Sequence, residues 1–175
     1  MTRKAIAVSV ILLLLFLASL PILTRIAMVA VDEREARAAP TFDPLEFFDG
    51  RSEGRGTIQT LDGQSRQLHV ESVGQRDGDS LTLNQFIAEG DKPIRKRTWR
   101  IVKAKDGYAT QLTDADGPVD LAVDGNRLTI RYTADGLHYW QRLTLAEDGR
   151  SAVNRLEVTK YGLNLARVGE IILRK

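Results

Sequence analysis

An arginine two residues from a tryptophan, Arg97-Thr98-Trp99, is the most informative chemical feature of this 175-residue chain. If the stretch is a strand, both side chains share a face with Ile101, and a guanidinium on an apolar face needs a partner. Glu157 and Tyr161 are the expected mates. The arginine then has two readings: an internal ion pair or a cation stacked on Trp99, or an anchor for a ligand's carboxylate or phosphate. Other candidates are weaker. Gly50-Arg51-Ser52-Glu53-Gly54 matches the G-x-S-x-G pattern of hydrolase nucleophile elbows, but a strand bearing Gly56 follows where a helix is required, so a glycine-rich loop is the better reading. His69 and His138 are the only imidazoles, too few for a three-His zinc site, and both alternate with apolar positions, which predicts solvent-facing side chains. Asp114, Asp116, Asp120 and Asp124 resemble a calcium loop without its closing Glu, and hairpin turns account for them without an ion. Lys92, Arg95, Lys96, Arg97, Arg100, Lys103 and Lys105 lie against one acid, Asp91, and suit anionic lipid headgroups, although strand alternation divides them over two faces. No phosphate loop, metal cluster or catalytic triad frame is present, so no cofactor and no enzymatic activity are expected.

Composition narrows the classes further. There is no Cys, which removes disulfides, thiolate chemistry, Cys-ligated metals and lipidated cysteine. The formal net charge is +2, from 25 basic and 23 acidic residues. Three of the bases, Arg3, Lys4 and Arg25, fall in residues 1–31, which hold no acid, so 22 bases and 23 acids remain in 32–175, a net of −1. A body with that balance lacks the electrostatic footprint of a nucleic-acid binder.

The N-terminus reads as a membrane segment. Ala5 to Leu23 is uncharged and 19 residues long, about 28 Å as a helix, enough for a bilayer core. A cleaved signal would need a small-x-small site close behind it. The only match, Ala36-Arg37-Ala38, lies beyond a charged run, so an uncleaved anchor over 1–31 is the preferred reading. Arg3 and Lys4 then hold the N-terminus in the cytoplasm. The expectation is a single-pass membrane protein, with a linker over 32–41 and a domain over 42–175 outside the cytoplasmic membrane.

Asp-Gly pairs at 49–50, 62–63, 77–78, 106–107, 116–117, 124–125, 135–136 and 148–149 punctuate that domain. Both residue types tolerate the positive φ of tight hairpin turns. The runs between them alternate: Leu68 and Val70; Val119, Leu121 and Val123; Leu128, Ile130 and Tyr132; Leu137, Tyr139, Leu143 and Leu145. About ten strands are predicted, near 55–61, 65–73, 80–88, 94–103, 107–113, 118–124, 127–133, 137–146, 151–160 and 165–174. Short loops make sequence neighbours pair antiparallel, and so long a meander must close to avoid open edges. An all-β, antiparallel up-and-down barrel of about 8–10 strands follows, preceded by one transmembrane helix.

Phe42 with Phe47-Phe48-Asp49-Gly50, Arg97-x-Trp99, Gly125-Asn126, Arg131-Tyr132, and Asn154-Arg155-x-Glu157-x-x-Lys160-Tyr161-Gly162 ahead of Val168-Gly169-Glu170 together resemble the bacterial domain-of-unknown-function family 3833. The likeness covers roughly 41–175. It implies a small envelope protein with a lipocalin-like barrel, which with the anchor makes the expected location the bacterial inner membrane, single-pass, with the barrel in the periplasm, and it implies no activity. The chain departs from the pattern in three ways. It has no cysteine for the family's common lipid anchor, Gln85 where a Glu is usual, and His138-Tyr139-Trp140 in place of Asp-Asp-Trp.

Two functions remain. One is a membrane-tethered binder whose interior, lined by residues such as Leu83, Phe86, Trp99, Leu121, Ile130, Tyr139 and Leu143, takes a lipid or other small apolar molecule, with Arg97, Trp99, Tyr139, Glu157 and Tyr161 as its site. The other is a filled barrel that works as a structural or protein-interaction module. Interior volume separates them.

Overall fold

The computed structural model describes residues 40–175. The anchor expected over 1–31 and all but the end of the 32–41 linker fall outside them. Among the described residues no helix is long and apolar enough to cross a membrane.

Among the described residues one short helix, α1 (Pro44–Phe47), precedes ten strands: β1 (Gly50–Thr60), β2 (Ser65–Asp77), β3 (Ser80–Glu89), β4 (Arg95–Ala104), β5 (Gly107–Leu112), β6 (Asp120–Asp124), β7 (Arg127–Ala134), β8 (Leu137–Leu145), β9 (Ser151–Lys160) and β10 (Leu163–Arg174). They form one antiparallel sheet in the order β5-β4-β3-β2-β1-β10-β9-β8-β7-β6, an up-and-down meander joined through the β1–β10 ladder. This is the nearly closed up-and-down barrel that the alternation predicts. The end strands β5 and β6 share no ladder. Closure there rests on packing, with Leu112 on one side of the seam and Val119 and Leu121 on the other, all in the common core. Both end strands are short, five or six residues, which limits the exposed edge.

The expected strands are all present, within a few residues at their ends. One expectation fails: residues 50–54 are not a loop but the start of β1. The reason is register. Gly50 pairs with Gly74 and Gly54 with Val70; Gly54 serves close approach to Glu170, while Gly50, with open space around it, supplies a φ of 86° where the chain leaves α1 and enters β1. The hairpin turns follow the expected chemistry. In Asp135-Gly136 both residues have positive φ, 52° and 67°, and a two-residue type I′ connection results.

The two ends of the barrel differ. At one, the chain enters past Pro40 and α1 forms a plug. Asp43 caps the helix, its Oδ1 accepting from Leu45 N at 2.9 Å and Glu46 N at 3.3 Å, and Pro44 suits the first turn. Phe42, Leu45, Phe47 and Phe48 are buried beneath it, with Phe42 and Phe47 centroids 5.1 Å apart and Phe47 and Phe48 4.9 Å apart. They pack on Leu81, Trp99, Leu128 and Leu143 in the principal core. At the opposite end lie the β1–β2, β3–β4, β5–β6, β7–β8 and β9–β10 connections, with no helix over them among the described residues. A separate apolar cluster, Leu68, Val70, Ile87 and Val168 with Ile58 and Leu156, lines the wall inside this open end.

Candidate functional site

Between the two apolar clusters, inward positions of seven strands carry polar side chains. β3 supplies Gln85, β4 Arg97 and Trp99, β7 Tyr132, β8 Tyr139 and Gln141, β9 Asn154, β10 Glu170 and β2 Ser72; of these Gln85, Tyr132, Asn154, Glu170 and Ser72 are flanked at i±2 by apolar residues or glycine. Strand alternation alone puts them inside.

On one wall, Arg97 faces inward as expected. Its Nε donates to Gln85 Oε1 at 2.9 Å, one Nη donates to the Tyr132 hydroxyl at 3.1 Å, and the guanidinium lies 5.2 Å from the Trp99 ring centroid. Trp99 Nε1 donates to the same Gln85 oxygen at 2.8 Å, and Gln85 Nε2 donates to Ser72 Oγ at 3.1 Å, which fixes the amide's orientation. Trp99 meets Tyr132 edge-on at 5.8 Å, and Tyr132 stacks on Tyr139 at 4.6 Å. Burial, and then the neighbouring Tyr132, push the Tyr139 phenol above its ordinary value, so it remains a neutral donor. Among the described residues Arg97 therefore has neutral partners only, with no carboxylate oxygen within ion-pair distance.

The facing wall holds a carboxyl. Glu170, 7% exposed, accepts from Asn154 Nδ2 at 2.8 Å. Burial raises its pKa above the ordinary value, with the Asn154 hydrogen bond and the charge of Arg97 opposing. Gly54 makes room for it: a Cβ there would lie 1.8 Å from Glu170 Oε1. Around it Asn154 Oδ1, Gln141 Oε1 and Ser52 Oγ are buried without a hydrogen-bond partner. The cavity measures about 100 Å³ and is lined from Phe48 at the plug to Ile58, Glu89 and Arg95 at the open end. Orphaned polar atoms beside open space are places for water or for a ligand's polar group.

Two of the five expected site residues, Glu157 and Tyr161, are corrected: neither lies in the lumen. Glu157 does not meet Arg97. It points outward beside Arg167, 3.5 Å away, because Asn154 and Val158 take the inward parity of β9 and Leu156 follows it. Tyr161 is 91% exposed at the tip of the β9–β10 turn, with φ of 50°. Phe86, expected inside, is outside beneath Lys96, since Leu83, Gln85 and Ile87 hold the inward parity of β3. Leu83, Trp99, Leu121, Ile130 and Leu143 are buried and Tyr139 is half-buried against them, as expected. His69 lies half-exposed beside Glu53 at 3.1 Å, and His138 is exposed on Thr133. Asp114, Asp116 and Asp120 serve Arg95, the Gly136 amide and Arg131. Among the described residues no three His, Asp or Glu side chains group to hold a metal.

The reading from sequence missed Gln141, Asn154 and Glu170 as site residues. For Glu170 the signal was present: Val168 and Ile172 flank it at i±2, marking an inward position, but exposed Ile171 and Leu173 blur the alternation. Asn154 and Gln141 carry the same signal through Ala152 and Leu143.

A family model described as a protein of unknown function, DUF3833, matches residues 21–175. The chain belongs to the DUF3833 family. No curated protein matches it. Among solved structures, this DUF3833 barrel is similar to the S-type phycobiliprotein lyase CPES from Guillardia theta, with a TM-score of 0.56 and 12% identity over 75% of this chain and 90% of that one. It is also similar to a protein of unknown function of the DUF3598 family from Nostoc punctiforme (TM-score 0.60, 11% identity, 78% of this chain and 50% of that chain). The third likeness is to Rv2717c from M. tuberculosis (TM-score 0.53, 15% identity, 77% and 99%). At these identities the likeness is one of fold.

Proposed function

We propose that this DUF3833 protein is a membrane-tethered binding protein of the bacterial envelope, its barrel on the periplasmic side of the inner membrane. The barrel holds a small, mainly apolar molecule with one acidic or polar group. The tether is the uncharged Ala5–Leu23 stretch. The observation that carries the reading is the polar belt within an apolar barrel: Arg97 lacks a carboxylate partner, and Asn154 Oδ1 and Gln141 Oε1 lack any donor, around one cavity. The ligand's acid group is set on Arg97, its body against Trp99, Tyr132 and Tyr139, and a donor, if it has one, on Glu170 and Asn154.

The cavity volume supports a second reading. Small-molecule sites usually measure about 300–1,000 Å³, and this one holds about 100 Å³. That suits a few waters better than a long chain, and a filled barrel acting as a structural or protein-interaction module follows.

Mass spectrometry of small molecules extracted from the purified chain, beside its Arg97→Met variant, decides. A stoichiometric species retained by the natural protein and lost from the variant supports the binder. Empty extracts from both, repeated after a panel of fatty acids and phospholipids is offered, support the filled barrel.

A further inference from the structure

The four most exposed large apolar side chains of the barrel are Tyr161 at 91%, Leu61 at 69%, Ile94 at 63% and Leu163 at 60%. All four lie at the open end, on the β1–β2, β3–β4 and β9–β10 connections or beside them. These connections are consecutive around the barrel in the order β4-β3-β2-β1-β10-β9. Leu61 N donates to Leu165 O at 2.8 Å and Gly90 N to Gln67 O at 2.9 Å, so backbone hydrogen bonds hold the loops in one arc. Tyr161 holds a positive φ that a bulky side chain seldom adopts, and the turn projects its ring into solvent.

Cations flank the arc: Arg66, Lys92, Lys96 and Lys160, with Lys160 Nζ 5.6 Å from the Tyr161 centroid. Its acids are Asp62, Glu89 and Asp91, of which Glu89 is neutralised by Arg66 and Lys92. The opposite side of the same rim, the β5–β6 and β7–β8 connections, carries Asp114, 3.8 Å from Arg95, together with Asp116 and Asp135, and no large exposed apolar side chain. Behind the apolar arc, on the inner wall of the same strands, stand Ile58, Leu68, Val70, Leu156 and Val168. An apolar path therefore runs from outside the rim to the cavity.

We infer that this arc docks edge-on into the headgroup region of an anionic phospholipid bilayer, with the acidic side of the rim held off. Apolar and aromatic side chains ringed by lysine and arginine are the composition that lies in a membrane interface. Each cation near an anionic surface adds about 1 kcal/mol, while aspartates facing the same headgroups are repelled. The edge-on tilt follows from that charge division. It presents the apolar inner wall to the acyl layer, which gives a lipid-derived molecule a route into the barrel without passing through water. The docking stands whether or not the cavity retains a ligand.

The absence of cysteine makes a direct test available. Single cysteines are placed in the full chain by Leu163→Cys and Ile94→Cys on the arc, Gly117→Cys on the acidic side, and Lys105→Cys at the plug end. Each is labelled with an environment-sensitive fluorophore and reconstituted with vesicles of phosphatidylethanolamine and phosphatidylglycerol containing a spin-labelled lipid. The expected result is at least twofold stronger quenching, with a blue shift, at 163 and 94 than at 117 and 105, weakened when phosphatidylcholine replaces phosphatidylglycerol. Equal quenching at all four positions overturns the inference. So does a blue shift at 163 and 94 that needs no vesicles and grows with protein concentration, which assigns the arc to a second copy of the chain. Because the readout is contact with lipid and not retention of a ligand, a failed extraction experiment leaves it intact.

Discussion

The side-chain oxygen of Gln85 sits 2.9 Å from Arg97 Nε and 2.8 Å from Trp99 Nε1, accepting from both. An amide here leaves the guanidinium's charge uncompensated by any carboxylate at contact distance. A Glu at this position would accept the same two donors and neutralise Arg97, so the amide keeps the cation available to the cavity.

Gln85→Glu is therefore expected to raise stability at neutral pH by about 1 kcal/mol, the difference in scale between a hydrogen bond to a charged acceptor and one to a neutral acceptor. The new carboxyl, beside Arg97, has a folded pKa below its unfolded value. Its stabilisation is present above the unfolded pKa and disappears as pH falls through the folded one. Chemical denaturation of the variant and the natural protein from pH 7 to pH 3 checks this. A midpoint gain that persists at pH 3 contradicts it. Any acidic ligand of Arg97 should bind the variant at least tenfold more weakly.

Glu170 carries the opposite sign. Burial raises its pKa above the ordinary 4.5, so the charged form is disfavoured in the folded barrel. Its contribution to stability is intact below the unfolded pKa and is lost as pH rises through the folded pKa. Glu170→Gln removes that dependence. In paired thermal melts between pH 4.5 and pH 8, the natural protein should lose ground to the variant as pH rises. A difference constant with pH would place the carboxyl in a solvated setting.

Gly54 and Glu170 should prove energetically coupled. A Cβ on Gly54 would meet the Glu170 carboxyl 1.8 Å away, so Gly54→Ala displaces a buried side chain and costs about 1–3 kcal/mol, the usual range for overpacking. In the Glu170→Ala background most of that loss should vanish. A double-mutant cycle with no interaction energy rules out the close approach.

Gly74 is the more severe case, because the obstacle is backbone. Its Cβ would lie 1.8 Å from the carbonyl oxygen of Phe48, and no rotamer relieves that clash. Gly74→Ala should undock the plug and expose Phe42, Leu45 and Phe47 to solvent. The expected loss is about 3 kcal/mol or more, as for deletion of one buried Phe. Hydrogen exchange at Leu45–Phe48 and at Phe42 N, which donates to Gly125 O, reads the undocking directly. Gly117→Ala, where a Cβ meets open space, is the neutral control.

Much of this architecture is legible in the chain itself. Asp135-Gly136 specifies a two-residue hairpin, and Leu128, Ile130 and Tyr132 specify one buried face on the strand before it. Repeated around the chain, such pairs make a ten-strand antiparallel meander the only economical arrangement. The inward placement of Arg97 follows from the same parity, through Trp99 and Ile101. Parity also places Glu157 outside, between Leu156 and Val158, and its assignment as a mate of Arg97 overrode that local rule. For Gly50 and Gly54, local composition suggests a loop, and only the ladder with β2 shows them as strand positions.

Residue type and period-two alternation are local properties, and by themselves they determined the strands, their turns, and which side chains enter the barrel. Who meets whom inside depends on closure, which brings strands far apart in sequence across one lumen. Tyr132, 35 residues from Arg97, became its partner that way, whereas Gln85 faces Arg97 directly in the β3–β4 ladder. Glu170 and Asn154 met in the ladder of neighbouring β9 and β10, with Gly54 opening space beneath them. The gathering of Leu61, Ile94, Tyr161 and Leu163 into one arc is likewise set by sheet order, a long-range pairing outcome that no window of sequence encodes.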